Sequence, residues 1–184
     1  LGELPQNIFN VGCPSIDAIM SIKDDQSILY DFDLKVDDYF ILLQHPVTSE
    51  FENSKEQILT TIAALEKSKV NVLVILPNND AGYSKIIEEL KNSNFKLVES
   101  LSLNQYVNLL KWSSGLIGNS SSGIHETSSF DIPTINIGTR QMGRLRPKNV
   151  IDVSHDEEEI ANAIQECISI KKNKIQFENP YGDG

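Results

Sequence analysis

The sequence predicts an α/β fold, a parallel sheet with helices on both faces. Short, nearly continuous apolar runs recur along the chain, as strands covered on both faces require. Stretches of 9–17 residues with apolar positions at helical spacing separate many of these runs, the alternation that builds a parallel sheet through right-handed crossovers. Polar loops follow the strands at 44–48, 77–82, 99–102, 118–122 and 138–144. In that topology they converge outside the strands' carboxyl ends, where open α/β sheets bind ligands.

Taken in order, Ile8-Phe9-Asn10-Val11-Gly12 suits a strand deep in such a fold. Leu1-Gly2-Glu3-Leu4-Pro5 before it has no initiator methionine, so the expectation is a chain that begins inside a longer protein, with half of an active site elsewhere. Tyr39 to Gln44 predicts a strand, and residues 52–68 a helix through Ile58, Ile62 and Leu65. Asn71 to Leu76 is the clearest buried strand and stops at Pro77. A helix over 84–92, a strand at 95–98 and a helix over 103–112 follow. Strand 115–117 then leads into a helix over 122–130, and strands are expected at 134–137 and 150–153. Asp156 can cap a last helix, with Glu157, Glu158 and Glu159 in its first turn. One domain over residues 1–171 and a frayed polar tail over 172–184 complete the expectation.

Charge and composition narrow the class. With 26 acidic and 16 basic side chains the net charge is −10, which argues against a nucleic acid polymer as partner. One local cationic pocket would still hold a nucleotide. Cys13 and Cys167 are too few for a disulfide framework and read as small buried hydrophobes. No apolar run approaches the ~20 residues that span a bilayer, and no signal peptide is visible, so the expectation is a cytoplasmic domain without a membrane partner. No clustered carboxylates or zinc-ligand spacing suggest a metal, and no cofactor is expected.

The chemistry concentrates in two loops. Gly118-Asn119-Ser120-Ser121-Ser122-Gly123-Ile124-His125-Glu126 follows an apolar strand and opens a helix. Free backbone N–H groups of a helix start, with the hydroxyls of Ser120, Ser121 and Ser122, make a place to hold phosphate. Gly138-Thr139-Arg140-Gln141-Met142-Gly143-Arg144 adds two guanidiniums, which suit phosphate better than a Lys ammonium. All three arginines lie within 140–146, and Arg146 reads as a solvated neighbour. His45 follows a strand and is restrained by Pro46. It either touches a diphosphate or passes a proton, or is a hydrogen-bonded surface histidine, and the sequence leaves both open. Glu126 either takes two sugar hydroxyls or stabilises a helix amino end. Asn78 either touches ligand or belongs, with Asn79 and Asp80, to a capped turn.

His45-Pro46-Val47-Thr48, Leu76-Pro77-Asn78-Asn79-Asp80-Ala81-Gly82, the serine segment 117–126 and Ile137 to Arg144 occur in this order. Together they resemble the carboxyl-terminal half of the hydrolysing UDP-N-acetylglucosamine 2-epimerases, over about residues 8–170. The resemblance implies two Rossmann-like domains facing across a cleft, as in GT-B glycosyltransferases, with this half gripping UDP. It implies that His45 lies near the diphosphate and the reacting sugar as a catalytic group, and that Asn78 meets the nucleotide. Leu101 would meet the uracil through its backbone, Ser120 and Ser121 the phosphates, Glu126 the ribose hydroxyls, and Arg140 would line the same pocket. Ser122 and Arg144 are further candidates. The implied reaction removes the proton at sugar C2 and expels UDP to leave a glycal, and water then adds with inversion at C2. The product would be free N-acetylmannosamine or its diacetamido analogue, of the kind used for sialic acids. The implied partners are a UDP-sugar and the amino-terminal domain that supplies acidic groups, so this chain alone is expected to be inactive; a homo-oligomer is left open. A non-hydrolysing 2-epimerase, a GT-B glycosyltransferase donor domain and a nucleotide-binding module without chemistry are the alternatives. Non-hydrolysing relatives carry His-Arg-x-Glu-Asn and Asp-Ser-Gly-Gly-x-Gln-Glu-Glu where this chain has His45-Pro46-Val47-Thr48 and three serines.

Overall fold

The computed structural model describes residues 2–9 and 11–182 of the 184-residue chain. Two short helices, α1 (Pro14–Met20) and α2 (Ile28–Asp31), precede the sheet. The chain then runs β1 (Tyr39–Leu43), α3 (Ser54–Ser68), β2 (Asn71–Ile75), α4 (Tyr83–Asn92), β3 (Lys96–Val98) and α5 (Leu103–Lys111). It continues through β4 (Gly115–Gly118), α6 (Ser122–His125), β5 (Thr134–Ile137), β6 (Val150–Val153) and α7 (Glu157–Lys172). All six strands are parallel, in the order β3-β2-β1-β4-β5-β6. After β3 the chain returns to the opposite side of β1, so β1 and β4 flank the point where strand order reverses.

Two-residue alternation along the strands divides the core into layers. Phe40, Leu42, Val72, Val74, Ile117, Ile135 and Ile137 face α3, α4 and α7. Tyr39, Ile41, Leu73 and Leu116 face α2 and α5, and α1 packs on α5 through Ile16, Ile19 and Val107. The result is a three-layer, Rossmann-like α/β domain. Among the described residues, no helix is long and apolar enough to cross a membrane.

Helix signals behave locally as expected. Ser102 and Gln105 form a reciprocal capping box on α5. Asp156 Oδ1 accepts the N–H groups of Glu158 and Glu159 at 2.9 Å each. Cys167 is fully buried, which pushes its thiol up to about 12, whereas Cys13 is only half-buried.

The structure corrects four expectations. Ile8, Phe9 and Val11 are 62, 79 and 80% exposed and lie in no strand; Asn10 lies outside the described residues. An apolar run becomes a strand only beside a ladder partner, and the sheet closes on β3 and β6 without it. The helix expected over 122–130 breaks at Glu126 (φ −113°), leaving four-residue α6 and a 3₁₀ turn over Thr127–Phe130. Over its described residues the tail beyond α7 is tied down by side chains of the body rather than frayed: Phe177 N–H donates to Asp131 Oδ1 at 2.8 Å, while residues 183 and 184 lie outside the described residues. Arg146 is not a solvated neighbour, since its Nε contacts Asp152 Oδ2 at 2.9 Å and its Nη1 donates to Gln141 O at 2.7 Å.

Candidate functional site

β4 ends in Gly118 at φ +131°, against the end of β1. A Cβ there would stand 2.2 Å from Leu43 O, so only glycine permits this approach. The next residue uses the closeness. Asn119 Oδ1 accepts the His45 N–H at 2.7 Å, and Asn119 Nδ2 donates to His45 O at 2.9 Å. The buried amide thus extends the β1–β4 pairing by one step beyond the strands and fixes the backbone of His45.

The Asn119 carbonyl in turn accepts Arg140 Nη1 at 3.2 Å and Gln141 Nε2 at 2.8 Å. This places the loop after β5 beside the loops after β1 and β4. Arg140 Nη2 also lies 3.9 Å from Asp80 Oδ2, from the loop after β2. The Asn78 N–H donates to His45 Nδ1 at 3.2 Å. Four strand-end loops therefore converge through His45, Asn78, Asp80, Asn119 and Arg140, at the reversal of strand order where open α/β sheets place ligands.

His45 is buried, 7% exposed, so it is not the surface histidine that the sequence also allowed. Its pKa falls to about 4, chiefly through burial and then through the Arg140 charge, with Asp80 opposing. It is therefore neutral at pH 7. With Nδ1 accepting from Asn78, the ring proton sits on Nε2 and can be donated outward.

The serine segment forms the adjoining wall. Ser122 N–H donates to Ser120 Oγ at 3.3 Å, and Ile124 and His125 N–H both donate to Ser121 O at 3.0 Å. These first amides are thus used by the turn itself, unlike the free helix start the sequence suggested. Among the described residues no acceptor faces the Ser120 or Ser121 amide, so those two and the hydroxyls of half-buried Ser120 and Ser121 are what this wall offers an anion. Ser122 is buried and shares a hydrogen bond with the Tyr106 hydroxyl of α5, so it braces the turn. Burial and the charge of Glu126 hold the Tyr106 hydroxyl well above its ordinary range.

Glu126 stands between α6 and the four-residue 3₁₀ turn Thr127–Phe130, where its side chain makes no capping bond. Burial raises its pKa, the mark of a desolvated carboxyl suited to accept hydroxyl donors. Arg144 Nη1 donates to His125 Nε2 at 2.7 Å on the outer side of the same wall. Half-buried Leu101 lies between β3 and the Ser102 cap, and its side chain packs on the α2–α5 core.

The structure thus joins His45 to Asn78 directly, links Arg140 to His45 through Asn119, and sets Ser120 and Ser121 immediately after Asn119. The roles of Asn119, Gln141 and Tyr106 went unassigned in the sequence. Asn119 and Gln141 lie inside the two phosphate-loop motifs, which is the signal that could have found them. Glu50 is a further tie. It accepts Thr139 Oγ1 and Gln57 Nε2 at 2.7 Å each, and these bonds, Thr139 first, hold its carboxyl below the ordinary range.

Known proteins share this arrangement of chain and fold. The chain is 33% identical to the UDP-N,N'-diacetylbacillosamine 2-epimerase (hydrolyzing) of Legionella pneumophila, over 100% of this chain and 50% of that protein. It is 32% identical to the UDP-N-acetylglucosamine 2-epimerase of Neisseria meningitidis, again over 100% of this chain and 50% of the relative. The chain therefore spans about half the length of these relatives. The crystal structure of a Neisseria meningitidis UDP-GlcNAc 2-epimerase bound to UDP-GlcNAc matches the fold with a TM-score of 0.76 at 19% identity, over 98% of this chain and 53% of that one. The family model for UDP-N-acetylglucosamine 2-epimerase covers residues 1–184. With the motifs, the fold and the relatives in agreement, this chain belongs to the UDP-N-acetylglucosamine 2-epimerase family.

Proposed function

We propose that this chain is the UDP-gripping half of a 2-epimerase acting on UDP-N-acetylglucosamine or a diacetamido analogue. The observation that carries this is the knot at Asn119, which gathers a neutral histidine, an arginine and two serines at the strand-order reversal. As the bond to UDP breaks, negative charge grows on the diphosphate. Arg140, the Ser120 and Ser121 donors and the His45 Nε2 proton are donors held in place before that charge appears, which is electrostatic stabilisation of a leaving group. Glu126 would take the ribose hydroxyls, Asn78 would meet the nucleotide, and the backbone at Leu101 would meet the uracil. The groups that move the C2 proton belong, on this reading, to a facing domain in a GT-B-like pair.

Hydrolysis is the preferred reading, with UDP lost from C1 and the configuration inverted at C2. The Legionella relative is named for it, and His45-Pro46-Val47-Thr48 and the three serines depart from the non-hydrolysing pattern. The name of the Neisseria relative specifies only 2-epimerisation, which favours the second reading, a non-hydrolysing enzyme that returns UDP to the sugar. Product analysis on the full-length enzyme separates them. Free UDP with a free 2-epimerised sugar supports hydrolysis, and an epimerised sugar still joined to UDP supports the second reading.

Calorimetric titration of UDP tests the grip itself. Arg140→Ala removes a charged hydrogen bond worth about 1.5–3 kcal/mol, so UDP affinity should fall roughly ten- to hundredfold. Arg140→Lys should recover only part, since a point charge does not replace a planar fork. Thermal melts should change little, because Gln141 keeps its bond to the Asn119 carbonyl. Unchanged affinity in Arg140→Ala would remove this side chain from the phosphate site.

A further inference from the structure

Beyond α7 the chain turns back along the domain and climbs to the ligand edge of the sheet. Phe177 is held from Asp131. Asn179 Nδ2 donates to His125 O at 2.8 Å and to Ser129 Oγ at 2.7 Å. The Tyr181 ring lies 4.3 Å from the His125 ring at 38°, and its hydroxyl donates to Leu145 O at 2.8 Å. Residues 177–181 therefore touch both walls of the candidate site: the serine turn through His125 and Ser129, and the arginine loop through Leu145. His125 also accepts from Arg144 at 2.7 Å, so one aromatic ring presses on the residue that orients a guanidinium.

We propose that Asn179 and Tyr181 are positioning residues, a strap that clamps the serine turn to the arginine loop and fixes Arg144 for a phosphate-bearing ligand. The role of the strap in ligand affinity rests on the UDP reading above. An open groove of about 830 Å³ runs along the strap, between it and Met20, Ser128 and Asp131. The strap is thus held by a few polar points and one ring contact, not by continuous apolar packing. Each point therefore matters, and the strap can loosen without unfolding the sheet.

The test uses this full chain, UDP as probe, and Tyr181→Ala, Tyr181→Phe, Asn179→Ala and Arg144→Ala. Tyr181→Ala should weaken UDP binding roughly tenfold, or about 1.4 kcal/mol. Tyr181→Phe keeps the ring on His125 and loses only the bond to Leu145, so it should restore most of the affinity. If Tyr181 acts through Arg144, Tyr181→Ala should add little to Arg144→Ala, a non-additive cycle. In the absence of UDP, amides of 122–126 and 139–146 should exchange faster in Tyr181→Ala and in Asn179→Ala, with an unchanged melt. Unchanged exchange in both variants, or additive losses, would overturn the clamp. Failure of the unmodified chain to bind UDP would overturn the functional reading, while the exchange measurement would still decide the clamp.

Discussion

Asn119 does at one position what a strand does over several. Its amide offers a donor and an acceptor to the two backbone groups of His45, so aspartate, which cannot donate to the His45 carbonyl, does not replace it. Asn119→Ala would leave that buried N–H and C=O unpaired, at a cost of about 2 kcal/mol or more. For a domain of this size that lowers Tm by roughly 4–8 °C, and calorimetric melts check it. His45 gives a pH signature. Its pKa is about 4 in the folded chain against about 6.5 unfolded. Between those values the unfolded chain binds a proton that the folded chain refuses. Stability is therefore full above pH ~6.5 and falls as pH drops toward 4, by about 3 kcal/mol in all. His45→Gln should lack this contribution. Urea unfolding of both forms across that range should show their difference shrinking by that amount, and a constant difference would contradict it. His45 and the serines stand out in the sequence because their residue types suit phosphate. Asn119 lies inside the same motif as the serines, but its bracing of His45 depends on which strand lies beside β4, and the motif alone does not say that.

At the scale of elements, all six strands and the helices α3, α4, α5 and α7 were legible, since each carries an apolar run or a helical stripe of useful length. α1 and α2 were not, with seven and four residues, too short for a periodic signal. The strap was also invisible, because its polar residues bind through individual hydrogen bonds rather than a repeated apolar face. The weak point of the frame is the end of β4. Gly118→Ala forces a Cβ to within 2.2 Å of Leu43 O at a φ that alanine disfavours. Expected destabilisation is about 3 kcal/mol or more, read from urea midpoints. A loss under about 1 kcal/mol would mean that β1 and β4 part more easily than their register suggests.

Across the whole molecule, charge is divided by position. The chain carries −10 overall, yet all of its arginines lie within residues 140–146, near the ligand edge. Each has a different partner, with Arg140 on the Asn119 carbonyl, Arg144 on His125, and Arg146 on Asp152. Two guanidiniums near the candidate site and a third bracing their loop would reconcile an acidic protein with the proposed UDP ligand. On the proposal that a facing domain supplies the proton-transfer groups, the purified chain should bind UDP yet release none from UDP-N-acetylglucosamine. Sustained release by the chain alone, followed by a coupled assay for UDP, would show that the chemistry resides here. The strand order also has a consequence for biosynthesis. The ribosome delivers β1, β2 and β3 first, one complete wing carrying His45 and Asn78. Until β4 emerges, β1 is an open edge with unpaired backbone groups and a hydrophobic sequence, the kind of surface that recruits neighbouring strands. The nascent chain is therefore most exposed to misassembly while residues between about 44 and 115 are being made, and the two walls of the candidate site are built at separate times and meet only when Asn119 reaches His45.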